Sequence, residues 1–273
     1  MSPKIRYNIS MPELCEVQIM TENLERWMLG QRVVSIEVVD DRLAHLKVAP
    51  IGVVNRVWRR AKYSVVELDD VSMVLHYRMT GQVVLEDDSS RFLRVRWKLE
   101  SGESIGFMDP RKFGTIDVIA NDALGQWFKS KKLGQEIWPT VRDGAWWENV
   151  YSGVKSPLKT ALLKQDRVVG IGNILASEFC FASGLSPFQA TSSLSSEDWS
   201  RFATAAHERI EAILLEERSE KIGFLFEGAK NPVAFQVYGR QGETCPSCSD
   251  VIQKVQQSGR ATYFCASCQS FES

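Results

Sequence analysis

The sequence predicts an α+β chain of several domains: a leading helix on a mostly β N-terminal domain of the antiparallel sandwich kind, a helical domain, and a small C-terminal hairpin held by a metal. Three observations carry this. Leu14, Val17, Met20, Leu24 and Trp27 recur at helical spacing and are followed by a series of short β-type runs. Helical periodicity then returns beyond about residue 140, and two CxxC pairs close the chain.

Along the leading helix Glu22, Asn23, Glu25 and Arg26 fill the other faces, and Gly30 ends the pattern. The runs VVSIEVV, LAHLKVA, YSVVELDD, SMVLHYRM, QVVLED, FLRVRWKLE, SIGFMD and TIDVIA read as strands. From 121 to 140 polar residues, glycine and proline mix as in a connector. LKTALLKQD, NILASEFCFASG and a long segment from Ser196 carrying Trp199, Phe202, Ala206, Ile210 and Ile213 then read as helices, the last with a capping box from Ser195 and Asp198. EGAKNP is a turn leading into the tail. The expected divisions are an N-terminal extension at 1–10, the β domain at 11–128, a linker at 129–142, the helical domain at 143–230 and the metal-held tail at 231–273.

Composition narrows the function classes. The 273 residues are enough for at least two modest domains, and at 44% hydrophobic, 25% charged and 10% aromatic they have the composition of an ordinary folded protein. No apolar run approaches the roughly 20 residues that span a bilayer, and the first ten residues lack the apolar stretch of a secretory signal. With a net charge of −1, binding to nucleic acid would need a local basic face. NRVWRRAK at 55–62 has four cations and no acid, and taken alone it reads as a solvated strand edge. Only three histidines exist, which argues against a Ser/His/Asp triad or a histidine-bound metal.

Cys245 and Cys248 in CPSC, and Cys265 and Cys268 in CASC, are separated by 16 residues. Four thiolates at this spacing close a tetrahedral zinc site, the interval forming a hairpin that returns the second pair to the first. Two disulfides are the alternative, disfavoured in a chain without a leader for export. With every ligand from protein, the zinc is structural. Cys15 and Cys180 fall in apolar helical patterns and read as buried, inert thiols. VVGIGN, between two helical segments, could let backbone amides approach a phosphate at a helix start, or could be a tight helix-to-helix turn. Met79 and Phe113, taken alone, read as core.

MPELCEV at 11–17, RRAKY at 59–63, RMTG at 78–81, DPRKFG at 109–114, VVGIGNILASE at 168–178, VYGR at 237–240 and GRATYFCASCQ at 259–269 occur in this order. Together they resemble the formamidopyrimidine-DNA glycosylase and endonuclease VIII family, closer to the first branch, over nearly the whole chain. The resemblance implies an N-terminal β-sandwich, a helix-two-turn-helix domain and a zinc ribbon, with damaged double-stranded DNA in the cleft between, and a monomeric state; the expected location, from the lack of a secretory signal or membrane span, is cytoplasmic and nucleoid-associated. It implies a bifunctional glycosylase and abasic-site lyase that removes oxidised bases such as 8-oxoguanine and formamidopyrimidines. Pro12 would be the nucleophile, Glu13 the group that protonates or stabilises the departing sugar, and Glu16 its support. Lys62 would assist β-elimination and Arg260 δ-elimination. Asn173, Arg260 and Lys62, with Lys159 added, would hold the backbone, although Lys159 could equally be a solvated lysine. Met79, Arg111 and Phe113 would fill the gap left by the extruded base.

Some positions depart from the family pattern. Cys15 replaces a second proline, HYRMTG stands where HLGMSG is usual, and Phe92-Leu93-Arg94 stands where a histidine pair is expected, which would remove a phosphate contact. The segment 221–237 is shorter than the usual base-capping loop, which leaves the lesion open. Pro12 is also acylated by Met11 in the chain as written, and a tertiary amide nitrogen cannot form an imine. Either the working protein starts at Met11 and loses that residue, which is the expected course, or the extension remains and the chain binds kinked DNA or structured RNA without cutting.

Overall fold

The computed structural model describes residues 11–49, 51–85, 92–219 and 235–270. The described residues form two compact units, the first running to Lys132 and including Arg218 and Ser219, the second comprising Leu133–Glu217 and the C-terminal residues. The expected turn at EGAKNP and most of the segment 221–237 lie outside the described residues.

In the first unit, helix α1 (Leu14–Met28) precedes eight strands: β1 (Val33–Val38), β2 (Arg56–Arg60), β3 (Tyr63–Glu67), β4 (Val71–His76), β5 (Gln82–Leu85), β6 (Leu93–Leu99), β7 (Ser104–Met108) and β8 (Thr115–Ala120). They make two four-stranded antiparallel sheets, ordered β1-β6-β7-β5 and β2-β3-β4-β8. The core joins Val17, Met20, Leu24 and Met28 of α1 to Val66 and Leu75 of one sheet and Trp97 and Phe107 of the other. The 3.6-residue period of α1 and the two-residue period of the strands meet here, each turning one apolar face inward. As expected, NRVWRRAK is an edge strand, β2.

Two segments differ from the sequence expectation. LAHLKVA lies in a 3-10 helix, Asp41–Val48, capped by Asp40, whose carboxylate accepts from Arg42 N. Its buried residues are Leu43 and Leu46. A separation of three puts both on one face of a three-residue turn, whereas a strand would turn them to opposite sides. The supposed connector contains helix α2 (Leu124–Ser130), and Leu124, Trp127 and Phe128 cover Val65 and Val74 on the face of β3 and β4 away from the main core. This second cover explains the unbroken apolar runs of both strands.

The second unit holds β9 (Gln135–Glu136), α3 (Gly144–Val150), α4 (Leu158–Leu162), β10 (Val168–Val169), α5 (Asn173–Ala182), all but the last two residues of α6 (Ser196–Ser219), and the hairpin β11 (Gln253–Gln257) and β12 (Arg260–Phe264). The expected capping box starts α6: Asp198 accepts from Ser195 N at 2.9 Å, and Ser195 Oγ accepts from Asp198 N at 3.1 Å. Glu178 of α5 is fully buried and accepts from the backbone amides of Gln236, Val237 and Tyr238 at 2.8–3.0 Å and from Arg209 of α6. One carboxylate thus ties two helices to the segment entering the tail. Cys15 and Cys180 are buried, as read from their patterns.

Candidate active site

At the start of α1, Glu13 occupies the N-cap and its backbone N–H donates to Glu16 Oε2 at 2.9 Å. This bond turns Glu16 back over the residues that precede the helix, so Pro12, Glu13 and Glu16 share one end of it. Both carboxylates are buried, and so is Lys62. Burial, and then the Glu13 charge, raise the Glu16 carboxyl to about 7, while Lys62 opposes the rise. Like charges held together out of water thus produce a group that exchanges its proton near neutrality.

Lys62 lies in the two-residue turn between β2 and β3, entered by Ala61 at φ +54°. Arg59 fastens that turn to α1, donating to Ala61 O at 2.8 Å and to Gln18 Oε1 at 3.0 Å. A chain of hydroxyls adds a second fastening. Thr21 Oγ1 donates to Val17 O, so its contact with Ser64 must be donated by Ser64, and Tyr77 in turn donates to Ser64, each at 2.7 Å. Every proton in this buried chain has one direction. Tyr77, a departure from the family pattern, therefore joins the strand leading to Met79 to the helix that carries Glu16.

Met79, Arg111 and Phe113 stand on two adjoining loops. Phe113 is 51% exposed, Met79 is half-buried, and the Arg111 guanidinium lies 5.0 Å over the Phe113 ring. The core alternative for Phe113 fails. Asp109, 1% exposed, binds both loops: it accepts from the Thr80 hydroxyl, from Arg111 N at 3.2 Å and from Gly114 N at 2.7 Å. Arg94 is buried and donates to the Asp109 carbonyl, so it buttresses this loop from inside. Gly81 closes the other loop on Tyr77 O at 2.9 Å, where a Cβ would come within 2.6 Å of the same oxygen. Asp109 has no role in the sequence reading of DPRKFG, and an acid before Pro-Arg was the available signal.

In the second unit Asn173 is the first residue of α5, after Gly172 at the N-cap. Its side chain is held on both sides: Lys159 Nζ donates to Oδ1 at 2.7 Å, and Nδ2 donates to Ala261 O at 3.0 Å. Lys159 is 1% exposed and also donates to Ala261 O and Thr262 Oγ1, at 2.9 and 2.8 Å. It is not a solvated lysine. All three ammonium protons have acceptors, so Lys159 acts by setting Asn173 against the hairpin. Arg260 is exposed beside Ala261, immediately after the turn residues Ser258 and Gly259 at φ +51° and +76°. The helix start and the hairpin tip thus meet within one unit.

Sulfurs bound tetrahedrally at 2.3 Å from zinc stand about 3.8 Å apart. Cys245 and Cys268 Sγ are 3.8 Å apart, Cys248 and Cys265 Sγ are 3.4 Å apart, and all four lie within 4.8 Å of one another. The four thiols fit a single structural zinc site. Gln269 ties it inward, accepting from Cys265 N and donating to Leu185 O, both at 2.9 Å.

A β-sandwich with a leading helix, a helical unit and a four-cysteine zinc hairpin together define a multidomain zinc protein of the helix-two-turn-helix class. Three family models match in order: the formamidopyrimidine-DNA glycosylase N-terminal domain at residues 11–116, the formamidopyrimidine-DNA glycosylase H2TH domain at 139–222, and the zinc finger found in FPG and IleRS at 242–270. The formamidopyrimidine-DNA glycosylase of Streptococcus pyogenes is 32% identical, covering 95% of this chain and 98% of its own, and that of Vibrio vulnificus is 31% identical, covering 95% and 100%. A structure of the Lactococcus lactis Fpg with DNA containing an abasic site superimposes with a TM-score of 0.85 at 27% identity, over 95% of this chain and 100% of that one. The chain belongs to the formamidopyrimidine-DNA glycosylase family. No helix among the described residues is long and apolar enough to cross a membrane.

Proposed function

We propose that the protein is a base-excision repair enzyme, a DNA glycosylase with abasic-site lyase activity that removes oxidised bases such as 8-oxoguanine and formamidopyrimidines from duplex DNA. The observation that carries this is the group at the start of α1, where the buried carboxylates of Glu13 and Glu16 follow Pro12 directly and the buried Lys62 acts on Glu16, in a member of this family. Pro12, once unblocked, attacks C1′ through its secondary amine. The glycosidic bond breaks with its electron pair going to the base, and Glu13 stabilises or protonates the departing sugar. Glu16, titrating near 7, keeps a proton available to this step. Lys62 assists β-elimination from the resulting Schiff base and Arg260 the δ-elimination. Asn173, positioned by Lys159, holds a phosphate, and Met79, Arg111 and Phe113 occupy the gap left by the extruded base. The zinc shapes the hairpin and takes no part in bond breaking. The proposed location is the cytoplasm, at the nucleoid, with the protein acting as a monomer.

Borohydride trapping on 8-oxoguanine or abasic DNA tests this. Protein beginning at Pro12 is expected to form a covalent adduct, and Pro12→Gly or Glu13→Gln to weaken or abolish it. Protein retaining Met11 is expected to bind DNA in a salt-sensitive manner without an adduct. Equal trapping by the blocked and unblocked forms would remove Pro12 from the mechanism.

A further inference from the structure

Arg94 lies in the segment where the family pattern has a histidine pair, and it points inward, 8% exposed. A bulge in β6 aims it. Leu93 pairs with Met108 of β7 and Val95 with Phe107, so Arg94 is the extra residue between them. A residue inserted into one strand bends that strand and redirects a side chain. Here the side chain reaches Asp109, the residue after β7: Arg94 Nε donates to the Asp109 carbonyl at 2.7 Å, and Nη2 donates to the same oxygen. A guanidinium buried in this way needs a counter-charge and a fixed base. Asp40 supplies both. Its carboxylate lies 3.8 Å from Arg94 Nε and is itself held by Arg42 Nη2 at 2.7 Å, while the Arg94 carbonyl accepts from the amides of Val39 and Asp40 at 2.9 and 3.2 Å. Asp40 also caps the 3-10 helix, whose His45 donates from Nε2 to Ile116 O at 2.8 Å, just past the far end of the loop that Asp109 begins.

The tip of that loop is aimed from its base. Arg111, Lys112 and Phe113 are exposed, and Lys112 is left-handed at φ +61°. A non-glycine residue stays in that region only where its surroundings hold it. They do so through Asp109, whose carbonyl accepts from Lys112 N at 3.2 Å and whose carboxylate accepts from Arg111 N and Gly114 N. The Arg94 guanidinium therefore grips the one residue that sets the direction of Arg111. A guanidinium carries donors only, so Arg111 favours a base with two adjacent acceptors on its pairing edge, and cytosine alone among the four bases offers that. Bidentate pairing of this kind depends on where the guanidinium is held.

We propose that Arg94, backed by Asp40, is a positioning residue that sets Arg111 against the base opposite the lesion and so fixes the discrimination among opposite bases. The proposal rests on the repair reading, in which Arg111 enters the gap left by the extruded base.

The experiment is equilibrium binding of the full chain to duplexes that carry an uncleavable tetrahydrofuran abasic analogue opposite each of the four bases, with the intact duplex as reference. It requires no catalysis. Wild type is expected to prefer the abasic duplexes to intact DNA and to bind most tightly opposite cytosine. Arg94→Met, similar in length but without donors, is expected to lower the preference for cytosine over adenine about tenfold, mainly by weakening the cytosine duplex. Arg94→Lys retains the charge and a donor and is expected to restore part of that preference. Asp40→Asn leaves Arg94 in place without its counter-charge and is expected to give an intermediate loss. A general loosening of the fold lowers affinity for all four duplexes together, whereas misplacement of Arg111 acts on the cytosine duplex. Equal wild-type binding opposite all four bases, a cytosine preference unchanged in the variants, or an equal loss on all four duplexes overturns the proposal, and the repair reading stands if wild type still prefers abasic DNA. Absence of that preference in wild type removes the repair reading and this proposal together.

Discussion

The starts of α1 and α5 are both helix N-termini that gather polar side chains, and they differ in what they leave unresolved. At α1 two carboxylates are buried beside each other, and the Glu16 carboxyl is driven up to about 7. At α5 the amide of Asn173 is bound on both sides, and its partner Lys159 has an acceptor for each proton. A site that must move a proton near neutral pH needs opposing electrostatic forces close to balance. A site that must hold a phosphate gains from groups already fixed, because nothing then has to be ordered on binding.

Removing zinc gives the largest test of the contrast. Structural zinc contributes on the order of 10 kcal/mol to folding of small domains. Chelation is therefore expected to abolish amide-exchange protection in β11 and β12 and to release Asn173, while the strands of the first unit stay protected. Equal loss in both units would break the comparison. Glu178→Gln comes next, since it leaves Arg209 buried without its carboxylate and weakens three backbone contacts; a loss of about 3–5 kcal/mol is expected in urea unfolding. A loss below about 1 kcal/mol would show that the tail is held chiefly by its metal.

Glu16→Gln sharpens the other side. The carboxyl ordinarily titrates at 4.5 and here near 7, so between those values the folded protein retains a proton that the unfolded chain has released. Stability conferred by that proton is present at low pH and declines as pH rises from about 4.5 through about 7. The amide of the variant has no such slope, while its side-chain oxygen can still accept from Glu13 N. Relative to wild type, the variant is expected to gain about 2–3 kcal/mol between about pH 4 and about pH 8 in denaturant midpoints. Parallel stability profiles would show that α1 carries no such tension. Tyr77→Phe is the smallest change, expected to cost about 1 kcal/mol by removing the last donor of the hydroxyl chain. If the loops at Met79 and α1 are coupled through it, exchange protection at Thr21 should fall together with that at Tyr77.

Features defined by short spacing are legible in the sequence. The two CxxC pairs, the periodicity of α1 and α6 and the Ser195–Asp198 cap each involve residues a few positions apart, so local geometry decides them. The 3-10 helix at Asp41–Val48 was missed because its two buried leucines also fit an apolar run of strand length. Helix α2 was missed because its seven residues are too short for periodicity to stand out, and its apolar face has meaning only against Val65 and Val74.

By itself the sequence determined which residue types were available and in what order: an imino acid before two glutamates, a glycine-rich turn before Asn173, and four thiols at the spacing of a zinc hairpin. The tertiary structure alone decided that Lys159 is buried, since two of its acceptors lie 102 and 103 residues away, and that Asp109 secures both loops, one of them through Thr80, 29 residues earlier. Proton affinity follows the same division. It depends on how much water a group loses and which charges face it: for Glu16 the burial that raises it most came only with the fold, as did the opposing Lys62, whereas the Glu13 charge stands three residues away in the sequence.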